Sequence, residues 1–138
     1  MRRVRNWDVA LVLLANKLNG RKFRWGTTDC GAVVIRAIRV MYPKSPLPKL
    51  KWTSLSTARA TLKRVDGFES VLRAAGAERV EPNFARAGDV IIDGEGKLGS
   101  VGIVIGSSKI LTARHDIGAV ELRPFDRFAE CVVMRLAE

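Results

Sequence analysis

The spacing of apolar residues divides the chain into a helical first part and a strand-rich second part. Early in the chain, apolar positions recur every three or four residues, which is the period of an amphipathic helix. This period covers four segments: 6–18, 28–42, 53–65 and 68–75. Asn19-Gly20 ends the first segment and Pro43 stops the second, because neither sequence continues a helix readily.

The pattern changes after Pro82. Short runs rich in β-branched residues, mostly bounded by Gly or Asp, are typical of strands. These runs lie at 89–92, 100–105, 109–113, 119–122 and 131–136. Helices that precede strands without alternating with them predict an α+β domain, in which the helices pack on a small antiparallel sheet. We expect one domain over 1–138, mainly helical in 1–80 and mainly strands in 87–138.

Composition narrows the class of protein. The 138 residues include one histidine and two cysteines, which build neither a disulfide framework nor a zinc site. We therefore expect no metal and no cofactor, and two reduced thiols in a chain made in a reducing cytoplasm. No apolar run is long enough to span a bilayer, and the basic N-terminus is not followed by a cleavage site. The sequence predicts a soluble protein without membrane insertion.

Charge is unevenly distributed along the chain. Residues 1–86 hold 18 Lys and Arg against 6 Asp and Glu, whereas residues 87–138 hold 6 against 8. A basic first part indicates an anionic partner: nucleic acid, a cell-envelope polymer or an acidic protein surface. The alternative is that these charges have no partner and only keep the surface solvated. Nucleic acid is the least favoured partner, because the basic residues are spread along helices rather than clustered with aromatic ones.

Cys30 is the residue whose setting points most directly to chemistry. Thr28 and Asp29 precede an apolar helical pattern, so both are candidate N-caps and Cys30 falls in the first turn. Unpaired N–H groups and the helix dipole at that position favour a thiolate, which is the nucleophilic form. The alternative is a Cys that only packs as a small apolar residue. Cys131 is expected in the core, and Trp52, after a Pro- and Lys-rich loop, is expected to be exposed.

Three segments carry a resemblance to the papain-like fold of the NlpC-type cell-wall cysteine peptidases. Residues 28–34 resemble the family's nucleophile helix, which begins with Asp-Cys. Residues 87–91 resemble its Gly-Asp-aliphatic strand, and residues 100–113 resemble the hairpin that follows. The resemblance covers about three-quarters of the chain and implies a peptidoglycan peptidase fold with Cys30 at the nucleophile position.

A narrower resemblance concerns the start of the chain. Residues 6–10 and 23–30 are similar to small NlpC-like proteins encoded in tail-gene clusters of bacteriophages and prophages. This likeness implies a component of the tail tip or baseplate that is made in the host cytoplasm and placed in the virion tail. Its implied partners are other tail proteins, with peptidoglycan as a further partner.

The residues that would assist the nucleophile are missing. Active family members place a histidine immediately before Val-Gly-Ile, where this chain has Ser100, and a second polar residue before an Ala, where it has Thr112. A serine hydroxyl cannot take up and return a proton near neutral pH. His115, followed by Asp116, is a substitute base if its loop folds over the sheet; otherwise it is an exposed turn residue.

Three functions follow from these observations. The first is a structural tail component with a degenerate NlpC-like site. The second is a working peptidase that cuts peptidoglycan stem peptides during genome entry, with Cys30 as nucleophile and its own N–H in the oxyanion hole. The third, a nucleic-acid-binding module, rests on the net charge of +10 alone. We favour the first.

Overall fold

Helices fold from the first part of the chain and strands from the second. The computed structural model describes residues 2–93, 101–125 and 130–138. The helices are α1 (Trp7–Leu18), α2 (Cys30–Met41), α3 (Leu55–Arg64) and α4 (Gly67–Ala74). The strands are β1 (Glu78–Val80), β2 (Val90–Asp93), β3 (Val101–Ile105), β4 (Lys109–Arg114), β5 (Ala119–Pro124) and β6 (Cys131–Arg135). The α+β class and the four predicted helices are confirmed.

The described strands form one antiparallel sheet in the order β1-β6-β2-β3-β4-β5. A turn at residues 106–108 joins β3 to β4, where the sequence predicts a hairpin. Strand β1 was not expected, since residues up to 80 read as mainly helical. Three residues are too few to show an alternating pattern, and β1 forms only because β6 supplies a partner for it.

One face of the sheet packs on helix α2, which positions the candidate site. Val33, Val34 and Ile38 of α2 are fully buried with Ile103 and Leu111 of the neighbouring strands. Burying each such side chain stabilises the fold by about 1.5–3 kcal/mol. The opposite face of the sheet carries a smaller buried cluster: Ala85, Ile91, Val104, Phe125 and Val133. Both faces are therefore covered, and successive residues of a strand belong to different layers.

An ion pair between a buried carboxylate and a half-buried arginine ties β6 to the residue before β2. Asp89 is fully buried, and its two carboxylate oxygens accept from Nε and Nη2 of Arg135 at 2.9 and 2.8 Å. The backbone N–H of Arg86 donates to the same carboxylate at 3.0 Å. The Gly-Asp pair of the family pattern therefore has a structural role here. None of the described helices is long and apolar enough to cross a membrane.

Candidate functional site

Asp29 caps helix α2, and Cys30 is the first helical residue. The Asp29 backbone is extended, and Oδ1 accepts from the backbone N–H of Ala32 at 3.0 Å. Thr28, the other expected N-cap, does not cap the helix. Its hydroxyl donates to the carbonyl oxygen of Lys22 at 2.7 Å, which fixes the preceding loop instead.

The second carboxylate oxygen of Asp29 holds two further segments in place. Oδ2 accepts from the backbone N–H of Gly26 at 2.6 Å and from the indole N–H of Trp52 at 2.7 Å. Asp29 is only 3% exposed, so these donors replace the water that the carboxylate has lost. The site therefore depends on a buried anion that joins a loop, a helix and a distant tryptophan.

Trp52 is buried, and the expectation that it is exposed was wrong. Its indole N–H bonds to Asp29, and its ring lies against Gly31, where an added Cβ would approach the ring at 3.2 Å. A Cβ on Gly26, whose φ is +86°, would lie 2.1 Å from the Trp52 carbonyl oxygen. Because Gly26 and Gly31 have no Cβ, the backbone and ring of Trp52 can pack closely against them. Glycine at these two positions is the feature of the sequence that could have indicated a close neighbour.

The Cys30 thiol lies in surroundings that oppose ionisation. Burial is the main cause that raises its pKa above the ordinary value of 9.0, and the neighbouring charge of Asp29 raises it further. The backbone N–H groups of Val101, Gly31 and Cys30 itself act in the opposite direction without reversing the shift. The expected thiolate is therefore not favoured, because burial and a nearby anion outweigh the helix N-terminus.

A cleft of about 790 Å³ opens beside Cys30. Its aromatic lining consists of Phe23, Trp25, Trp52 and Phe68. Its charged lining includes Asp66, Glu69, Asp93, Arg79 and Arg114. Glu69 receives hydrogen bonds from Arg73 and Arg79, which lower its pKa. Asp66 and Asp93 form no ion pair within the described residues. The cleft thus combines apolar walls with groups of both charges.

His115 lines the same cleft as Cys30 but is an exposed residue of the turn after β4. Its ring packs edge-on against Phe23 at 5.2 Å and lies 5.8 Å from Trp25, centroid to centroid. Asp116 does not orient it. That carboxylate accepts two hydrogen bonds from Arg114, at 3.0 and 2.5 Å, and the guanidinium lowers its pKa. No hydrogen bond between the described Cys30 and His115 is present.

Thr112 does not face Cys30. Its neighbours in β4, Leu111 and Ala113, belong to the core that packs on the helices, so the alternation of the strand turns Thr112 to the opposite face. There it is buried, and its hydroxyl donates to the carbonyl oxygen of Val101 at 2.7 Å. Ser100, the other degenerate position, lies outside the described residues.

Cys131 is half-buried at the start of β6, where it pairs with Asp93 and packs against the second cluster. It is thus less deeply buried than the expected core position. Within the described residues, no group of three or more His, Cys, Asp or Glu side chains is arranged to hold a metal ion.

A family model described as "Domain of unknown function (DUF6950)" matches residues 2–128. The chain belongs to the DUF6950 family. No match was found among curated protein sequences. The family match covers the cysteine helix and strands β1 to β5, and it ends before β6.

Solved structures show that this DUF6950 protein has an NlpC/p60 fold. The peptidoglycan hydrolase RipB of Mycobacterium tuberculosis is 19% identical with a TM-score of 0.60, over 96% of this chain and 65% of that one. The chain thus spans somewhat less than two-thirds of the RipB structure. RipD of the same organism, described as a non-catalytic NlpC/p60 domain protein adapted to peptidoglycan binding, is 16% identical with a TM-score of 0.58, over 97% and 100% of the two chains. The P60 domain of a Mycobacterium avium subspecies paratuberculosis antigen is 15% identical with a TM-score of 0.61, over 96% of each chain.

Proposed function

We propose that this DUF6950 protein is a non-catalytic NlpC/p60 module of a phage tail tip, and that its cleft binds the peptide part of peptidoglycan. The observation that carries the non-catalytic part is the environment of Cys30. Burial and the adjacent Asp29 raise the pKa of the thiol, whereas a nucleophilic cysteine needs a lowered pKa or a base in contact with it.

Among the described residues, the groups near Cys30 do not supply such a base. Thr112 is on the opposite face of the sheet and is bonded to a backbone carbonyl. His115 is exposed among aromatic rings, and the carboxylate next to it is bound by Arg114. A general base must lie within hydrogen-bond reach of the proton that it removes. This arrangement supports binding without bond cleavage.

The cleft has the properties of a peptide-binding site. Its volume of about 790 Å³ is in the range of ligand pockets, and four aromatic side chains line it. Arg79 pairs with Glu69 through Nη2 but remains exposed in the cleft, where its guanidinium can also meet a ligand carboxylate. The carboxylates of Asp66 and Asp93 are available for ligand amino groups. Peptidoglycan stems carry groups of both kinds. The description of RipD, a protein of the same fold, as non-catalytic and adapted to peptidoglycan binding supports this assignment.

Placement in a virion tail is supported by the resemblance of residues 6–10 and 23–30 to small NlpC-like proteins of phage tail-gene clusters. The protein would then be made in the host cytoplasm and would contact other tail proteins. Mass spectrometry of purified particles tests this placement. We expect the protein among the tail proteins, and its absence from intact particles would refute the placement. Particles that carry Cys30→Ala are expected to assemble and infect normally.

Binding is tested by calorimetric titration of the purified protein with a stem tetrapeptide that contains a diamino acid. We expect saturable binding, weakened up to about fivefold by Arg79→Gln, since an exposed charge contributes at most about 1 kcal/mol. Arg73→Gln is the matched control, because Arg73 pairs with the same Glu69 but does not line the cleft. No binding at millimolar peptide, or equal weakening by both variants, would overturn the cleft assignment.

An active cysteine peptidase is the second candidate, favoured by one observation: Cys30 and His115 line the same cleft. In that case Cys30 attacks the stem peptide, His115 takes its proton, and incubation with peptidoglycan releases new amine ends. In a Cys131→Ser background, His115→Gln would also raise the pH at which Cys30 is alkylated. We expect neither result. Amine release that disappears in Cys30→Ala would establish the peptidase.

A further inference from the structure

The segment from residue 19 to residue 65, called the basic segment below, has almost no carboxylates that could pair with its Lys and Arg residues. It contains eleven Lys and Arg residues and one carboxylate, Asp29, which is buried and bonded to three N–H groups. Ten of these eleven cations are exposed and Arg36 is half-buried. Within the described part of the chain, none of the eleven forms an ion pair, whereas cations elsewhere form eight. Such a surface favours an anionic partner.

A concave site is lined entirely by residues of the basic segment, and Trp52 lines both this site and the main cleft. This niche has a volume of about 230 Å³ and is placed between α2 and the chain around Leu50. Arg36 and Arg39, one turn apart on α2, line it together with the apolar side chains of Ile35 and Leu50. Residues three apart on a helix lie side by side, so the two guanidinium groups can reach one bound group. Nη1 of Arg36 donates a long hydrogen bond, 3.5 Å, to the carbonyl oxygen of Thr27, which also lines the niche.

We propose that this niche binds a phosphate group of a slender polymer whose repeating units are joined by phosphodiester bonds and carry no bases. Arginine forks match the oxygen geometry of phosphate, and each of the two guanidinium groups can donate to one of the two non-bridging oxygens of a phosphodiester. The exposed Lys49 and Lys51 flank the lining residue Leu50, so further cations are available close to the niche for the neighbouring phosphates of a chain. Ile35 and Leu50 can contact the C–H groups of the chain between the phosphates.

Nucleic acid fits the same surface less well. Single-strand binding uses exposed aromatic rings as stacking platforms. In the basic segment Trp52 and Tyr42 are buried, while Phe23 and Trp25 pack against each other and against His115. The inference relies on the proposed function only in taking the cell wall as the source of such a polymer.

The test is titration of the full chain with a synthetic glycerol-phosphate 12-mer at several salt concentrations. We expect affinity that falls with salt and that is at least tenfold weaker in Arg36→Gln/Arg39→Gln. Arg2→Gln/Arg5→Gln is the matched control, because it removes the same charge from exposed residues outside the basic segment and should weaken binding less than threefold. Arg36→Lys, which keeps the charge but loses the fork, should give an intermediate loss.

Three results would overturn the proposal. Equal weakening by the two double variants would show that only net charge matters. Binding of a 12-nucleotide DNA with the same affinity and the same sensitivity to Arg36→Gln/Arg39→Gln would assign the niche to nucleic acid. A glutamate 12-mer that binds equally well would show that the site does not require phosphate. Thermal melting verifies that each variant is folded. Since the probe contains no peptide, failure of stem-peptide binding leaves this result unaffected.

Discussion

Replacing Asp29 by Asn tests whether the carboxylate beside the cysteine organises the site. Asp29 accepts three N–H donors, one on Oδ1 and two on Oδ2. Asparagine has a single acceptor oxygen, so its amide NH₂ must face at least one donor. The less damaging orientation keeps the bonds from Gly26 and Trp52 and loses the helix cap from Ala32.

The loss of stability can be worked out from these contacts. A lost N-cap costs about 1 kcal/mol, and two bonds that change from a charged to a neutral acceptor cost about 1 kcal/mol each. Asp29→Asn should therefore lower the free energy of unfolding by about 3 kcal/mol, a large share of the roughly 5–15 kcal/mol of a typical domain. Urea unfolding measures the change. Asp8→Asn, at an exposed position in the first turn of α1, is the control and should change stability by less than about 0.5 kcal/mol.

The same substitution has a chemical readout. Removing the negative charge of Asp29 takes away one cause of the raised Cys30 pKa, so alkylation in a Cys131→Ser background should reach half-maximal rate at a lower pH. Burial, the larger cause, remains and keeps the thiol above its ordinary range. A variant as stable as the parent would refute the hydrogen-bond argument. An unchanged alkylation profile would refute the electrostatic one.

Three further predictions concern the surrounding scaffold. Gly26→Ala should destabilise the protein by at least about 2 kcal/mol in urea, because φ is positive and the new Cβ would lie 2.1 Å from a backbone oxygen; wild-type stability would contradict the observed packing. Arg135→Gln should cost about 3 kcal/mol, since it leaves the buried Asp89 carboxylate without its ion pair. A loss of that size should lower the melting temperature by at least about 6 °C, and a melting temperature within about 2 °C of the parent would disprove this. Finally, stability in a Cys131→Ser background should fall as the pH rises above about 9, because the unfolded chain then loses the Cys30 proton while the folded chain retains it. Adding Cys30→Ala should abolish that slope, and an identical slope with and without the thiol would show that its pKa is not raised.

The periodicity of the sequence predicts most of the fold because the long elements bury one face each. Helix α2 has apolar residues at helical spacing on the side that packs on the sheet. Strand β1 escaped prediction because its three residues carry no pattern and its pairing depends on β6, more than fifty residues later. Local spacing predicts an element well when the element is long, and poorly when only a remote partner stabilises it.

The candidate site was harder to predict, for reasons of geometry. The Asp-Cys pair gave the position of the helix start, but the donor that completes the Asp29 carboxylate is Trp52, 23 residues away. The Pro- and Lys-rich surroundings of Trp52 suggested exposure. Likewise, Thr112 was assigned by its place in a motif, whereas the register of β4 decides which face it occupies. Tertiary contacts, rather than local sequence, determine which groups surround the cysteine.

The Asp-Cys motif can be present without catalysis because its two residues have different roles: the aspartate stabilises the fold, and the cysteine supplies the thiol. Asp29 joins the loop at Gly26, the start of α2 and Trp52, so its loss disrupts the scaffold whether or not the thiol reacts. Its charge also opposes the thiolate, so the residue that caps the helix disfavours ionisation of the neighbouring thiol. In an NlpC/p60 fold, the motif alone therefore indicates the architecture. The charge state of the thiol and a base in contact with it are what distinguish a peptidase from a binding module.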